Sequence, residues 1–228
     1  MNTRMKHRIY EEIRKFGFSY KNKTFFRITN DVVQGFCFKE KRVSGTVCLS
    51  ISFAVYPLCN PFSNYHRFSF ERREIGMLMP QFSLWPFCYH TTDSLSQDRC
   101  AEEVVKNITE ILIPYFNSYQ TCILASNSIP ELYGHQNATL DSVFFALKAT
   151  KKDAAIDGLT SILEQHKLAR QRNASNLPSE LCKTATERSM QKDKQIQELL
   201  FLIHSLSKDE LRQYLEENEQ RGLQTLLG

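Results

Sequence analysis

Residues 46–56, TVCLSISFAVY, alternate without a break. Val47, Leu49, Ile51, Phe53 and Val55 fall on one side of an extended chain, and Thr46, Cys48, Ser50, Ser52, Ala54 and Tyr56 on the other. A period of two with one strongly apolar side is the pattern of a strand in an antiparallel sheet. That apolar side must be covered, and the flanking helical patterns are the expected cover. Pro57 and Pro61 close the run, because proline donates nothing to a ladder.

Upstream, Met5, Ile9, Ile13 and Phe16 recur at helical spacing, which predicts an amphipathic helix over residues 4–16, ended by Gly17. A strand from Lys23 to Thr29, a tight turn at Asn30-Asp31 and a returning strand to Lys39 follow, with Val32, Phe36 and Phe38 on one face. A polar, basic loop over residues 40–45 leads into the central strand. Downstream, His66, Phe68 and Phe70 alternate and predict a fourth strand over residues 66–71. Residues 80–90 are aromatic and interrupted by Pro80 and Pro86; Trp85, Phe87 and Tyr89 there are either a plug over the end of the sheet or a partner-binding lip.

Ser94 or Ser96 can cap a long helix reaching about Ala125, with Ala101, Val104, Ile108, Leu112 and Phe116 in its apolar stripe and a kink at Pro114. Residues 126–137, with Pro130 and Gly134, read as a linker. It divides the chain into an α+β domain over residues 1–126 and a helical module over residues 138–228. In that module Leu140 to Leu147 and Ile156 to Leu168 mark a helical hairpin, residues 170–178 a polar break, and Ile196 to Leu206 a further helix. Ser207 and Glu210 form a capping box that opens the last helix. The fold class is therefore α+β: an N-terminal helix, an antiparallel sheet of about four strands and a long covering helix, then an all-helical C-terminal module.

At 228 residues, 42% hydrophobic and 24% charged, the chain can bury one good core and a second, smaller unit. No apolar run approaches the roughly 18 residues of a membrane span, and the charged N-terminus lacks the apolar centre of a secretory signal. A cytoplasmic location is expected, and the seven scattered cysteines read as reduced thiols. Residues 1–80 hold 14 Lys and Arg against 6 Asp and Glu, and the remainder 15 against 19. Such polarity marks either a surface for an acidic partner or nucleic acid, or faces neutralised within the chain.

The run GFSYKNKTFFRITNDVVQGFCFK at residues 17–39, followed by LSISFAVY at residues 49–56, resembles the bacterial domain-of-unknown-function family 4304. Gly17, Phe18 and Lys21, then Phe26-Arg27, then Asp31 to Gln34 and a strand ending in Lys39 carry the resemblance, which extends over residues 7–125. His66-Arg67, Arg72 and Trp85 fall roughly where that family has similar residues. The resemblance implies a fold and a bacterial source and supplies no catalytic residues.

No paired-knuckle metal spacing, nucleophile elbow or phosphate-cradling glycine loop stands in the sequence, so no cofactor, metal or catalytic residue is assigned. The first reading is a non-catalytic protein-binding or accessory protein of a bacterium, of a toxin-immunity or defence kind, whose partner meets Trp85, Phe87, Tyr89, Leu199 or Ile203. The alternative is a basic nucleic-acid-binding module using Lys39, Lys41 and Arg42 beside Phe25 and Phe36, where charge and base stacking would combine. A third is a metal-dependent nuclease, which requires Asp31, Glu40 and Glu71 to converge.

Overall fold

The computed structural model describes residues 3–43, 46–79, 89–90, 94–129, 132, 138–176 and 179–228, and the side chains of all of these but residues 3, 4, 41–43, 46–48, 90, 94–97 and 179. The chain forms two compact units. Met1–Leu58 with Ser63–Ala125 make the first, and Cys59–Phe62 with Ser126–Gly228 the second. Among the described residues, no helix is long and apolar enough to cross a membrane.

The first unit is α+β. Helix α1 (Thr3–Ile13) buries Met5, Ile9 and Ile13 and passes through a 3-10 turn to Gly17, whose φ of 82° is the left-handed geometry of a helix end. Strand β1 (Ser19–Lys21) pairs with β2 (Thr24–Thr29) through Asn22 and Lys23, both at positive φ. Lys23, expected to open a strand, is thus a turn residue, because a two-residue hairpin that follows the strand twist needs two left-handed positions. Strands β3 (Val32–Val43) and β4 (Thr46–Pro57) pair along their whole length. Residues 40–43, expected in a loop, are strand, held opposite residues 46–49. The antiparallel sheet runs β1-β2-β3-β4-β5, with β5 at Arg73–Glu74 and β6 (Tyr89–His90) also on β4.

Both faces of β4 are buried. On the predicted apolar face lie Leu49, Ile51, Phe53 and Val55. There Phe25 stacks on Phe36 with ring centroids 5.0 Å apart, and Phe53 meets Tyr115 and Phe116 at 5.3 and 6.0 Å. The covering helix comes in pieces: α2 (Ser94–Asn107), a π turn at Ile108–Leu112, α3 (Ile113–Asn117), then α4 (Cys122–Asn127) after a turn. Pro114 explains the break. It has no N–H for the Glu110 carbonyl and its ring crowds that group, and the wider π turn before it takes up the mismatch.

On the opposite face Ser50, Ser52, Ala54 and Tyr56 are buried as well, beneath residues 63–79. Gly35 pairs with Ala54 at the centre of this face, and the Phe70 ring fills the space their small size leaves; a Cβ on Gly35 would stand 2.5 Å from two of its ring carbons. Phe70 also meets Tyr56 at 5.4 Å, and Phe68 meets Phe26 at 5.6 Å. Three hydrogen bonds fix the cover: Tyr65 Oη to Leu58 O at 2.5 Å, Tyr56 Oη to Ser69 O at 3.0 Å, and Thr24 Oγ1 to Phe68 O at 2.8 Å. The expected strand at residues 66–71 is therefore absent. In its place stand a 3-10 turn (Asn64–Arg67) and Phe68 at φ 52°. A strand would send Tyr65 away from Phe68 and Phe70, whereas here all three side chains serve the cover.

The second unit is helical: α5 (Leu140–Lys148), α6 (Lys152–Asn176), α7 (Ser179–Ser205) and α8 (Lys208–Leu227). Its core joins Val143, Phe144 and Leu147 to Leu159, Ile162, Ile196, Leu199, Ile203, Leu211 and Leu215. The capping box holds, with Ser207 N donating to Glu210 Oε2 at 2.8 Å and Glu210 N to Ser207 Oγ at 3.4 Å. Cys59 is buried in this core, and Asn60 Nδ2 donates to the buried Asp141 Oδ1 at 2.7 Å. The expected polar break at residues 170–178 is helical as far as Asn176, since Ala, Arg and Gln favour helix whether or not an apolar stripe accompanies them.

Gly35→Ala is expected to destabilise the protein by about 1–3 kcal/mol, the usual cost of overpacking. Added to Phe70→Leu, its effect should be smaller than in the parent, since the ring it strikes is gone. Chemical denaturation of the four species checks this. Equal effects in both backgrounds would show that Phe70 does not occupy the space over Gly35.

Candidate functional site

Among the described residues of the first unit, polar side chains converge on Gln34, a fully buried residue of β3. Its Nε2 donates to Phe116 O at 2.5 Å and to Tyr119 O at 2.9 Å, and its Oε1 accepts from Arg27 Nε at 2.7 Å. Arg27 also donates to Phe16 O at 3.1 Å and Asn117 Oδ1 at 2.8 Å, with its guanidinium 5.0 Å from the centre of the Phe18 ring. This cation stands at the end of the 3-10 turn, where it meets the unpaired Phe16 carbonyl, and reaches the last residue of α3 through the Asn117 side chain. Burial pulls the Arg27 pKa below its ordinary value. All of its hydrogen-bond partners are neutral protein groups, and the set ties helices to the sheet.

The carboxylates expected to converge do not. Asp31 Oδ1 accepts from Cys122 N at 2.8 Å, while Asn30 Nδ2 donates to Gln120 O at 3.1 Å, so the β2–β3 turn holds the segment entering α4. Glu40 lies nine residues farther along the strand, about 30 Å away at strand rise. Glu71 pairs with Lys39 at 2.7 Å, and Glu40, next along β3, points to the opposite face from Lys39. Among the described residues no group of three or more His, Cys, Asp or Glu could hold a metal ion.

The residues singled out for partners are distributed as follows. Trp85 and Phe87 lie outside the described residues, as do the side chains of Lys41 and Arg42. Tyr89 is buried, and its Oη accepts from Asn107 Nδ2 at 2.9 Å; burial pushes its pKa up. Lys39 is half-buried and engaged by Glu71. Phe25 and Phe36, proposed to stack on bases, are interior. Leu199 and Ile203 are core residues of the helical unit and present no surface. Their spacing fitted an interface stripe and a core stripe equally, and packing against α5 and α6 decides for the core. Exposed apolar residues there include Leu168 on α6, which the period had placed on the apolar stripe, and Leu181, Met190 and Phe201 on α7 and Leu227 on α8, which it had left out, with Phe201 76% exposed.

The described cysteines Cys37, Cys59, Cys100, Cys122 and Cys182 are free thiols, all buried except the half-buried Cys182. Burial, reinforced by Glu71, pushes Cys37 up to about 11, and burial with Glu103 does the same for Cys100. A thiol so raised is protonated near neutral pH and is a poor nucleophile. Iodoacetamide at pH 8 should therefore label both at least about a hundredfold more slowly in the native than in the denatured chain. Labelling at the denatured rate, read by peptide mass spectrometry, would contradict this. No family model, curated protein or solved structure matches this chain.

Proposed function

We propose that the protein is a non-catalytic binding or accessory protein whose helical unit engages another protein. The observation that carries this reading is the set of exposed apolar side chains on α6 and α7: Leu168, Leu181, Met190 and Phe201. Large apolar residues on helices whose core is already filled are the kind of anchor that helical recognition uses. The separation of Asp31, Glu40 and Glu71 and the raised Cys37 and Cys100 thiols favour binding over chemistry. The interior position of Phe25 and Phe36 favours a protein over a single-stranded nucleic acid. A bacterial source, and a place in a toxin-immunity or defence system, rest on the resemblance of residues 7–125.

Met190→Glu and Phe201→Glu should each abolish co-purification of one specific protein while leaving the thermal melt unchanged. Leu199→Ala is the control: it truncates the core at a cost of about 2–5 kcal/mol and should lower the melt. Undiminished co-purification by both glutamate variants would refute the assignment to these helices.

A further inference from the structure

Between Leu163 and Gln195 the sequence is mostly polar, and its large apolar residues Leu168, Leu181 and Met190 are exposed, yet it forms the facing halves of α6 and α7. Among the described residues of this stretch none is buried, whereas Ala155, Leu159 and Ile162 on one side of it and Ile196, Leu199 and Ile203 on the other all are. The α6 part, residues 163–176, is about 21 Å long at helical rise. Beyond Leu163, which still packs against the core, its half-buried positions carry little apolar area: Gln165, His166, Arg170 and Asn173 on α6, and Cys182, Ala185, Thr186, Ser189 and Asp193 on α7.

Four of these residues make one connected contact. His166 Nδ1 lies 2.6 Å from Asp193 Oδ1, Arg170 Nη1 donates to Asp193 Oδ2, and the same Nη1 donates to Ser189 Oγ at 2.8 Å. His166 and Arg170 are four residues apart, as are Ser189 and Asp193, so each pair stands on one face of its helix. Asp193 thus bridges one turn of the opposite helix with both of its oxygens. Small and polar side chains pack in several registers with nearly equal energy, whereas a bidentate bridge is satisfied in only one. Such a bridge, partly open to water, adds far less stability than an apolar seam of the same length.

We propose that residues 164–176 and 179–195 form an arm that opens on its own while the core of α5 to α8 stays closed, and that Asp193 is the clip that sets its register and limits its opening. Leu168, Leu181 and Met190 of the proposed binding surface lie on this arm, but this conformational device does not rest on the binding reading. It follows from where burial stops and what replaces it. A segment held by one polar clip belongs at the low-stability end of local opening, below the helices' apolar ends.

Hydrogen exchange of the full chain, read by mass spectrometry, tests it. Arm amides should exchange at least about tenfold faster than those of residues 155–162 and 196–203. Asp193→Ala should accelerate the arm by about tenfold more and leave those two stretches unchanged. If that variant does not fold, Asp193→Asn, which keeps the shape and removes the charge, is read the same way. Arm protection equal to that of the core would overturn the proposal. So would a variant that leaves arm exchange unchanged, or one that accelerates arm and core alike.

Discussion

The fold of the first unit depends on β4 being buried on both faces. One face carries the large apolar residues that alternation predicts, and α1, α2 and α3 supply its cover. The other is built from Ser50, Ser52 and Ala54 with Gly35 alongside, so its surface is shallow enough for Phe70 to reach the backbone. Once Phe70 is seated, Tyr56, Tyr65 and Phe68 can close around it, and Tyr65, Phe70, Ile75 and Met79 become part of the core. Phe25, Phe36, Phe53, Tyr56 and Phe70 are thus taken up by packing on the two sides of the sheet.

The basic excess of residues 1–80 is partly answered within the same unit. Arg8 pairs with Glu102 at 2.8 Å and Asp98 at 3.7 Å, acids from outside that stretch, whereas the pairs of Arg14 with Glu11, Lys15 with Glu12 and Lys39 with Glu71 lie within it and leave the excess unchanged. Exposed pairs of this kind add little stability and offset the unit's positive charge only in part. Arg27 is turned inward to the helix ends. What the first unit offers chemically is thus mostly spent on its own assembly. Both units leave apolar residues outside, Met77, Ile123 and Leu124 on the first and Leu168, Leu181, Met190 and Phe201 on α6 and α7 of the second.

How much of this could be read in the sequence varies with the physical signal. The strand at residues 46–56, the helix at the N-terminus and the Ser207 capping box were legible because each is set by a local pattern of period or spacing. The cover at residues 63–79 was not, since its aromatic spacing imitates a strand and only the small residues at Gly35 and Ala54, distant in sequence, show what the rings pack against. Asn22-Lys23 hid a hairpin because lysine is an unusual left-handed residue. Helix through the polar stretch around Arg170 was missed because apolar period was used to find helices, and there it vanishes. For the candidate site the limit was sharper: Leu199 and Ile203 are amphipathic positions on any reading, and only packing tells core from interface. Asn60 gives no local sign that it pairs with Asp141.

The central claim is that the outer surface of the helical unit, and not the sheet unit, meets the partner. Site-specific photo-crosslinking in cells of the source organism tests it most directly, with a crosslinking residue at Met190 or Phe201 in one set and at Tyr20 or Met77, exposed positions of the first unit, in the other. The account predicts one discrete adduct from Met190 or Phe201, the same protein from both, and none from Tyr20 or Met77. An adduct formed from Tyr20 or Met77 alone would contradict it.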